Sequence, residues 1–158
     1  MRVRVFFGVL CVAVACPLLA DFHAGMEAYA RGDFETALAE WRPLADGGMA
    51  EAQYNLGLIH QHGKGVAADL AAAHGWYLSA AEGGYARAQY RVAEMFESGQ
   101  GVREDLVQAR VWFTIAGEQR YSDARKRRRK VADRMTAEQI AQADMLVRHR
   151  KRARKTAD

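Results

Sequence analysis

His60, His62 and His74 come closest in this chain to a metal-binding set. Imidazole nitrogens suit zinc and other transition metals, but a site needs three or four donors converging on one point. Residues two apart on a helix, as 60 and 62 would be, point in different directions. No cysteine or carboxylate stands beside them at ligand spacing. His60 also takes the place that Phe96 holds 36 residues later, which marks a packing position. No metal site is expected. Gly63-Lys64-Gly65 resembles a fragment of a phosphate loop, yet the full pattern needs a preceding strand and Gly-x-x-x-x-Gly-Lys-Ser/Thr, and neither is present. Nucleophiles are scarce: Ser79, Ser98 and Ser122 are the serines beyond residue 20, and none lies in a Gly-x-Ser-x-Gly elbow. The adjacent carboxylates Glu104 and Asp105 precede a helical stretch, where they favour the helix dipole. The reading is of a protein that is not an enzyme and needs no cofactor, with a small hydrolase as the alternative.

The elements behind these residues are set by an internal repeat. Ala52-Gln53-Tyr54 returns as Ala88-Gln89-Tyr90, Gly63-Lys64-Gly65-Val66 as Gly99-Gln100-Gly101-Val102, and Asp69-Leu70 as Asp105-Leu106. Trp76-Tyr77 returns as Trp112-Phe113 and Ala80 as Ala116, and every offset is 36. Weaker matches run outward: Asp33, Ala37, Trp41 and Gly47-Gly48 precede by 36 residues, and Tyr121 and Ala124 follow. Repeats of this length signal stacked units that cannot bury their faces alone. Within a unit, Ala50, Tyr54, Gly57, Leu58 and Gln61 advance by three and four, as one helix face requires. Gly63 and Gly65 are placed to end that helix and turn the chain. Asp69 can cap a second helix, which carries Ala73, Trp76, Tyr77, Ala80 and Ala81 up to Gly83-Gly84. The expected fold is all-α: an α-solenoid of about four antiparallel helix pairs.

Residues 1–20 stand apart. Arg2 and Arg4 precede an uncharged apolar run from Val5 to Cys16, closed by Pro17-Leu18-Leu19-Ala20. That order is a secretory signal peptide, too short for a comfortable membrane span. Cleavage is expected after Ala20, with a lipoprotein-like cut before Cys16 as a rival. Both cysteines, Cys11 and Cys16, fall inside this leader, so a chain beginning at Asp21 would enter an oxidising compartment with no thiol.

The segment from Ala50 to Gly57, followed by Gly63-Lys64-Gly65-Val66, Asp69, Trp76-Tyr77 and Ala80-Ala81, resembles the Sel-one-like repeat, a relative of the tetratricopeptide repeat. The likeness covers Ala50 to Gly117, with Val92 and Ala93 departing from Leu56 and Gly57. Residues 25–48 look more like a tetratricopeptide pair. The resemblance implies a protein–protein interaction scaffold of an exported bacterial type, in the periplasm or secreted, and implies no activity. The units follow as a leader over 1–20, a capping pair over 21–48, repeats over 49–84 and 85–117, and a basic C-terminal cap over 118–158. A partner protein would lie in a groove lined by the first helices of successive pairs. There Asn55 and Leu58 of one copy correspond to Arg91 and Glu94 of the next, and such differences between like copies could carry specificity.

The charge is divided. Residues 21–117 hold 7 basic and 13 acidic side chains, and residues 118–158 hold 14 and 6. Such asymmetry points to a partner or to mutual attraction of the halves. Arg125, Lys126, Arg127, Arg128, Arg129 and Lys130 are consecutive, and Arg148, Arg150, Lys151 and Arg152 begin a second cluster. The pattern predicts a helix over 118–134 with one buried edge at Tyr121, Ala124, Val131 and Met135. A capping box at Thr136 and Gln139 opens another through Ile140, Ala143 and Val147. Either this is a solvated cap, or it grips an acidic partner or an anionic envelope surface. Nucleic acid is not expected, since no aromatic platform accompanies the charge.

Overall fold

The computed structural model describes residues 21–121 and 123–157. The leader read in residues 1–20, with both cysteines, lies outside the described residues, as does Ser122. All regular structure among the described residues is helical: α1 (Phe22–Arg31), α2 (Phe34–Asp46), α3 (Ala50–His62), α4 (Leu70–Glu82), α5 (Ala86–Ser98), α6 (Leu106–Glu118), α7 (Ala124–Ala132) and α8 (Ala137–Ala157). The pairs α1–α2, α3–α4 and α5–α6 stack in order, each second helix packing on the first helix of the next pair. This is the expected all-α solenoid.

Each unit is punctuated alike. Asp33, Asp69 and Asp105 cap the second helices by accepting from the backbone N–H of Thr36, Ala72 and Gln108 at 3.1, 2.9 and 3.0 Å. Such a cap contributes about 1 kcal/mol. Gly63 and Gly99 end the first helices in the left-handed region, at φ 64° and 69°. The second glycine of each loop is fixed by proximity as well: a Cβ on Gly65 would overlap Phe34, and one on Gly101 would overlap the Leu70 carbonyl.

Packing repeats too. Tyr54 lies against Tyr77 and Tyr85 at ring separations of 5.4 and 5.2 Å. Thirty-six residues on, Tyr90 lies against Phe113 and Tyr121 at 5.3 and 5.2 Å. Gln53 and Gln89 are buried, and each donates to the last turn of the preceding helix, at Ala45 and Ala81. Ala80 and Ala116 are fully buried, which lets the helices close. Trp76 packs into the N-terminal core, and Trp112 is 2% exposed.

The C-terminal end departs from the regular pattern. The helix expected over 118–134 is two pieces: α6 runs to Glu118, and α7 begins only at Ala124. Arg120 sits between them at φ 59°, the one non-glycine residue with positive φ among those described. It stands 36 residues after Gly84 (φ 92°), which stands 36 after Gly48 (φ 90°). The turn geometry of the repeat is thus kept although its glycine is not. Tyr121 and Ala124 pack as the repeat requires, so α7 is the first helix of a fourth unit. The second helix of that unit is displaced. α8, opened by the expected Thr136–Gln139 capping box, packs on α6 rather than on α7. Its Ala143 and Val147 bury Val107 and Val111 of α6, with Ile115 alongside. In α4 the matching positions are Ala71, Gly75 and Ser79, all exposed. α7, six of whose nine residues are cationic, buries only Ala124 and Val131. It has no second apolar face on which a helix could pack.

Candidate functional site

The first helices α3, α5 and α7 bring together a polar cavity of about 260 Å³, lined by Gln61, Tyr77, Arg91, Glu94, Ser98 and Arg127 among others. Its floor is the Tyr77 ring, fully buried, whose hydroxyl donates to Gln61 Oε1 at 2.6 Å. Burial pushes the Tyr77 phenol well above its ordinary range, so it remains a neutral donor. Arg91 donates to Glu94 Oε2 at 3.0 Å across one turn of α5. Arg127 reaches back from α7 to Glu97 Oε2 at 2.6 Å, and its guanidinium lies 5.7 Å from the Phe113 ring centroid. Burial works against the Arg127 charge, but the Glu97 carboxylate outweighs it and raises the guanidinium's pKa. Asn55 turns toward α1, its amide 3.5 Å from Met26 Sδ, and Leu58 packs on the core.

The basic C-terminus is divided by its contacts. Arg127 and Arg134 bind Glu97 and Glu104 of the second full repeat. Arg125 Nε donates to the Gly117 carbonyl at 3.2 Å. On α8, Arg150 lies 4.5 Å over the Trp112 ring and 3.9 Å from Glu82, and Lys151 binds Glu118 at 2.6 Å. Asp144 completes the seam by accepting from Arg110 at 3.0 Å. Lys126, Arg129, Lys130 and Arg148 are exposed, with no ion pair within 4 Å among the described residues.

The histidines do not converge. His74 is half-buried and meets Phe96 edge-on at 5.1 Å, His60 is half-buried and His62 exposed. Among the described residues no group of three or more His, Cys, Asp or Glu side chains is arranged to hold a metal.

Residues 50–85 and 86–121 each match the model of the Sel1 repeat. Residues 50–121 are thus two Sel1 repeats. Among solved structures, the Sel1 fold here superposes on c5321, a protective antigen of uropathogenic Escherichia coli with the same type of repeat. That pair shares 32% identity with a TM-score of 0.74, over 80% of this chain and 28% of that one. A Sel1 repeat protein from Oxalobacter formigenes gives 30% identity and a TM-score of 0.65, over 68% of this chain and 44% of that one. Among curated proteins, the DAP3-binding cell death enhancer 1 of Rattus norvegicus is 39% identical over 64 residues, and that of Mus musculus 41% identical over 49. This chain spans only 12% and 10% of those two proteins. Sel1 repeats mediate protein–protein contacts, and that general role extends to this chain.

Of the groove positions read in the sequence, the Sel1 fold sets Arg91 and Glu94 in the cavity. It places Asn55 at the α1–α3 step and Leu58 partly in the core. Sequence reasoning missed Gln61, Tyr77 and Arg127 as groove residues. In the sequence Tyr77 reads as a packing residue and Arg127 as part of the basic patch, and only their neighbours in space reveal the shared cavity. Lys64 was also missed: its ammonium donates to Tyr29 Oη at 2.8 Å and lies 4.5 Å from that ring's centroid. It ties the first loop to the N-terminal pair.

Proposed function

We propose that this Sel1-repeat chain is an exported, non-catalytic scaffold that holds a segment of a partner protein in the groove formed by α3, α5 and α7. The observation that carries the reading is the cavity at Tyr77, Arg91 and Arg127. It is polar and open, and its side chains are already held by one another, so a peptide would meet a surface that needs little reordering. Its α5 positions differ from those of α3, which gives the groove a recognition character of its own. A curated relative named for binding another protein agrees with this class of role. The charged start and apolar run of residues 1–20 support export, with the working chain beginning at Asp21 in the periplasm or outside the cell.

The test is photo-crosslinking in living cells, with the reactive side chain at Ser98 or Gln100 in the groove and at Gly75 on the outer surface of α4 as control. A discrete protein adduct from the groove positions and not from Gly75 supports the scaffold. Equal labelling from all three, or none from the groove, sinks it. The same cells test export: mass spectrometry of the recovered protein should find an N-terminus at Asp21, and a chain retaining residues 1–20 in the cytoplasm would refute that half of the reading.

A further inference from the structure

We propose that the segment held in the groove is acidic, and that its charge is bound by a cationic strip which α7 adds beyond α5. This rests on the groove reading and names the chemistry of its partner.

The strip begins inside the cavity. Arg91 and Arg127 line it together. Lys130 follows Arg127 one turn further along α7, and Lys126 lies one turn before Lys130. Lys126, Arg129 and Lys130 are exposed and carry no ion pair within 4 Å among the described residues. The carboxylates of α5 and of the loop after it cannot serve them, because each is engaged: Glu94 with Arg91, Glu97 with Arg127 and Arg134, and Glu104 with Arg134; Asp123 and Asp133, at the two ends of α7, make no ion pair with them within 4 Å. Like charges one turn apart weaken a helix, and α7 is only nine residues long. Its attachment uses Ala124, Val131, Arg125 and Arg127; of the four remaining cations Arg128 is half-buried, and Lys126, Arg129 and Lys130 make no ion pair within 4 Å that ties them to the described residues.

That face is also uncovered, since α8 has left α7 to pack on α6. A concentrated charge without an internal partner, continuous with a groove and open to solvent, fits an external anion. Two features favour a protein segment over a bilayer. The strip leads into a cavity that a flat surface cannot enter. In addition, α7 exposes no large apolar side chain that could anchor in a membrane interface.

The probe is a fluorescein-labelled peptide of ten glutamates, followed by anisotropy with the purified protein. Wild type should bind it, and the screening length falls from about 10 Å at 0.1 M salt to about 3 Å at 1 M, so affinity should drop steeply over that range. The triple variant K126E/R129E/K130E should bind about ten-fold or more weakly. A control with the same change in charge, R31E/R42E/R103E, should lose much less. Equal loss in both variants would overturn the inference, because net charge alone would then explain binding. So would tight co-sedimentation with phosphatidylglycerol vesicles, lost in the α7 variant, while the peptide is not bound. The partner adduct at Ser98 separates the two readings. If the α7 variant keeps it at full yield, the acidic segment is refuted and the groove stands. If wild type gives no adduct, the groove reading fails whatever the peptide does.

Discussion

Replacing Gly57 by alanine should destabilise the protein, although alanine is the better helix former. A Cβ on Gly57 would lie 2.5 Å from Cδ1 and from Cε1 of Tyr77 and 3.0 Å from its Cζ. Carbon atoms rest at about 3.5–4.0 Å, so the ring would have to withdraw by about 1 Å. Tyr77 has nowhere to go: it is fully buried, packed on Tyr54, and tethered to Gln61 through its hydroxyl. Overpacking costs about 1–3 kcal/mol, against about 1 kcal/mol returned by helix propensity. Because the ring is held on three sides, the net loss should be about 1–2 kcal/mol, or roughly 3–8 °C in Tm. The equivalent site makes the test sharp. At Ala93, beneath the smaller Phe113, the reverse change to glycine removes a buried methyl and lowers propensity, for a loss of about 1–2 kcal/mol. Propensity alone requires opposite signs for the two substitutions, whereas packing requires both to destabilise. Urea titration and thermal melts followed by circular dichroism decide. A Gly57→Ala protein that melts above wild type would refute the packing argument.

Val111→Ser should cost about 2–3 kcal/mol by removing the buried seat of α8 and placing a hydroxyl there. It should also make α8 cleavable by trypsin under native conditions, while Gly75→Ser at the matching exposed site should stay within about 0.5 kcal/mol of wild type. Burial holds the His74 imidazole below its ordinary pKa of 6.5. The unfolded chain therefore protonates this site first, and its contribution, complete above pH 6.5, is lost as pH falls toward the folded value. Comparing urea midpoints at pH 7.5 and 5, His74→Gln should lose less stability on acidification than wild type; an equal loss would assign the effect elsewhere. Arg120→Gly should relieve a left-handed residue and leave stability unchanged or raised by up to about 1 kcal/mol, whereas Gly84→Ala, at φ 92°, should lower it by about 1–2 kcal/mol. A melt in which both variants move the same way would contradict this.

The solenoid was legible because the same contacts recur with the same spacing. Tyr54, Tyr77 and Tyr85 map onto Tyr90, Phe113 and Tyr121, and each member packs as its counterpart does. Aspartate caps and left-handed glycines are local and carry their geometry in their residue type. The groove was only half legible. Arg91 and Glu94 stood out as differences between copies, but Arg127 joins them through a fold-back that no spacing records. The Lys64–Tyr29 bond spans 35 residues and belongs to neither copy's pattern.

In the C-terminal cap, helical periodicity continues through residue 120, where the repeat demands a turn, and so hides the break between α6 and α7. Arginine does not announce a left-handed conformation; its position 36 after Gly84 does. The same comparison holds the signal for α8. Ala71, Gly75 and Ser79 become Val107, Val111 and Ile115, three enlargements one turn apart on a face that the preceding copy leaves to water. An outward stripe does not turn apolar unless something covers it, and here α8 does. The charge asymmetry resolves in the same terms. Arg127, Arg134, Arg150 and Lys151 join acids of the repeats and close the end of the stack. Partly exposed pairs of this kind contribute about 0–1 kcal/mol each, so the apolar seam rather than the ion pairs must hold α8 in place. Divergence between copies is thus of two kinds in this chain. Where the change is from small to apolar it ends the solenoid, and where it is from neutral to charged, at Asn55 and Leu58 against Arg91 and Glu94, it leaves the fold intact and alters what the groove can recognise.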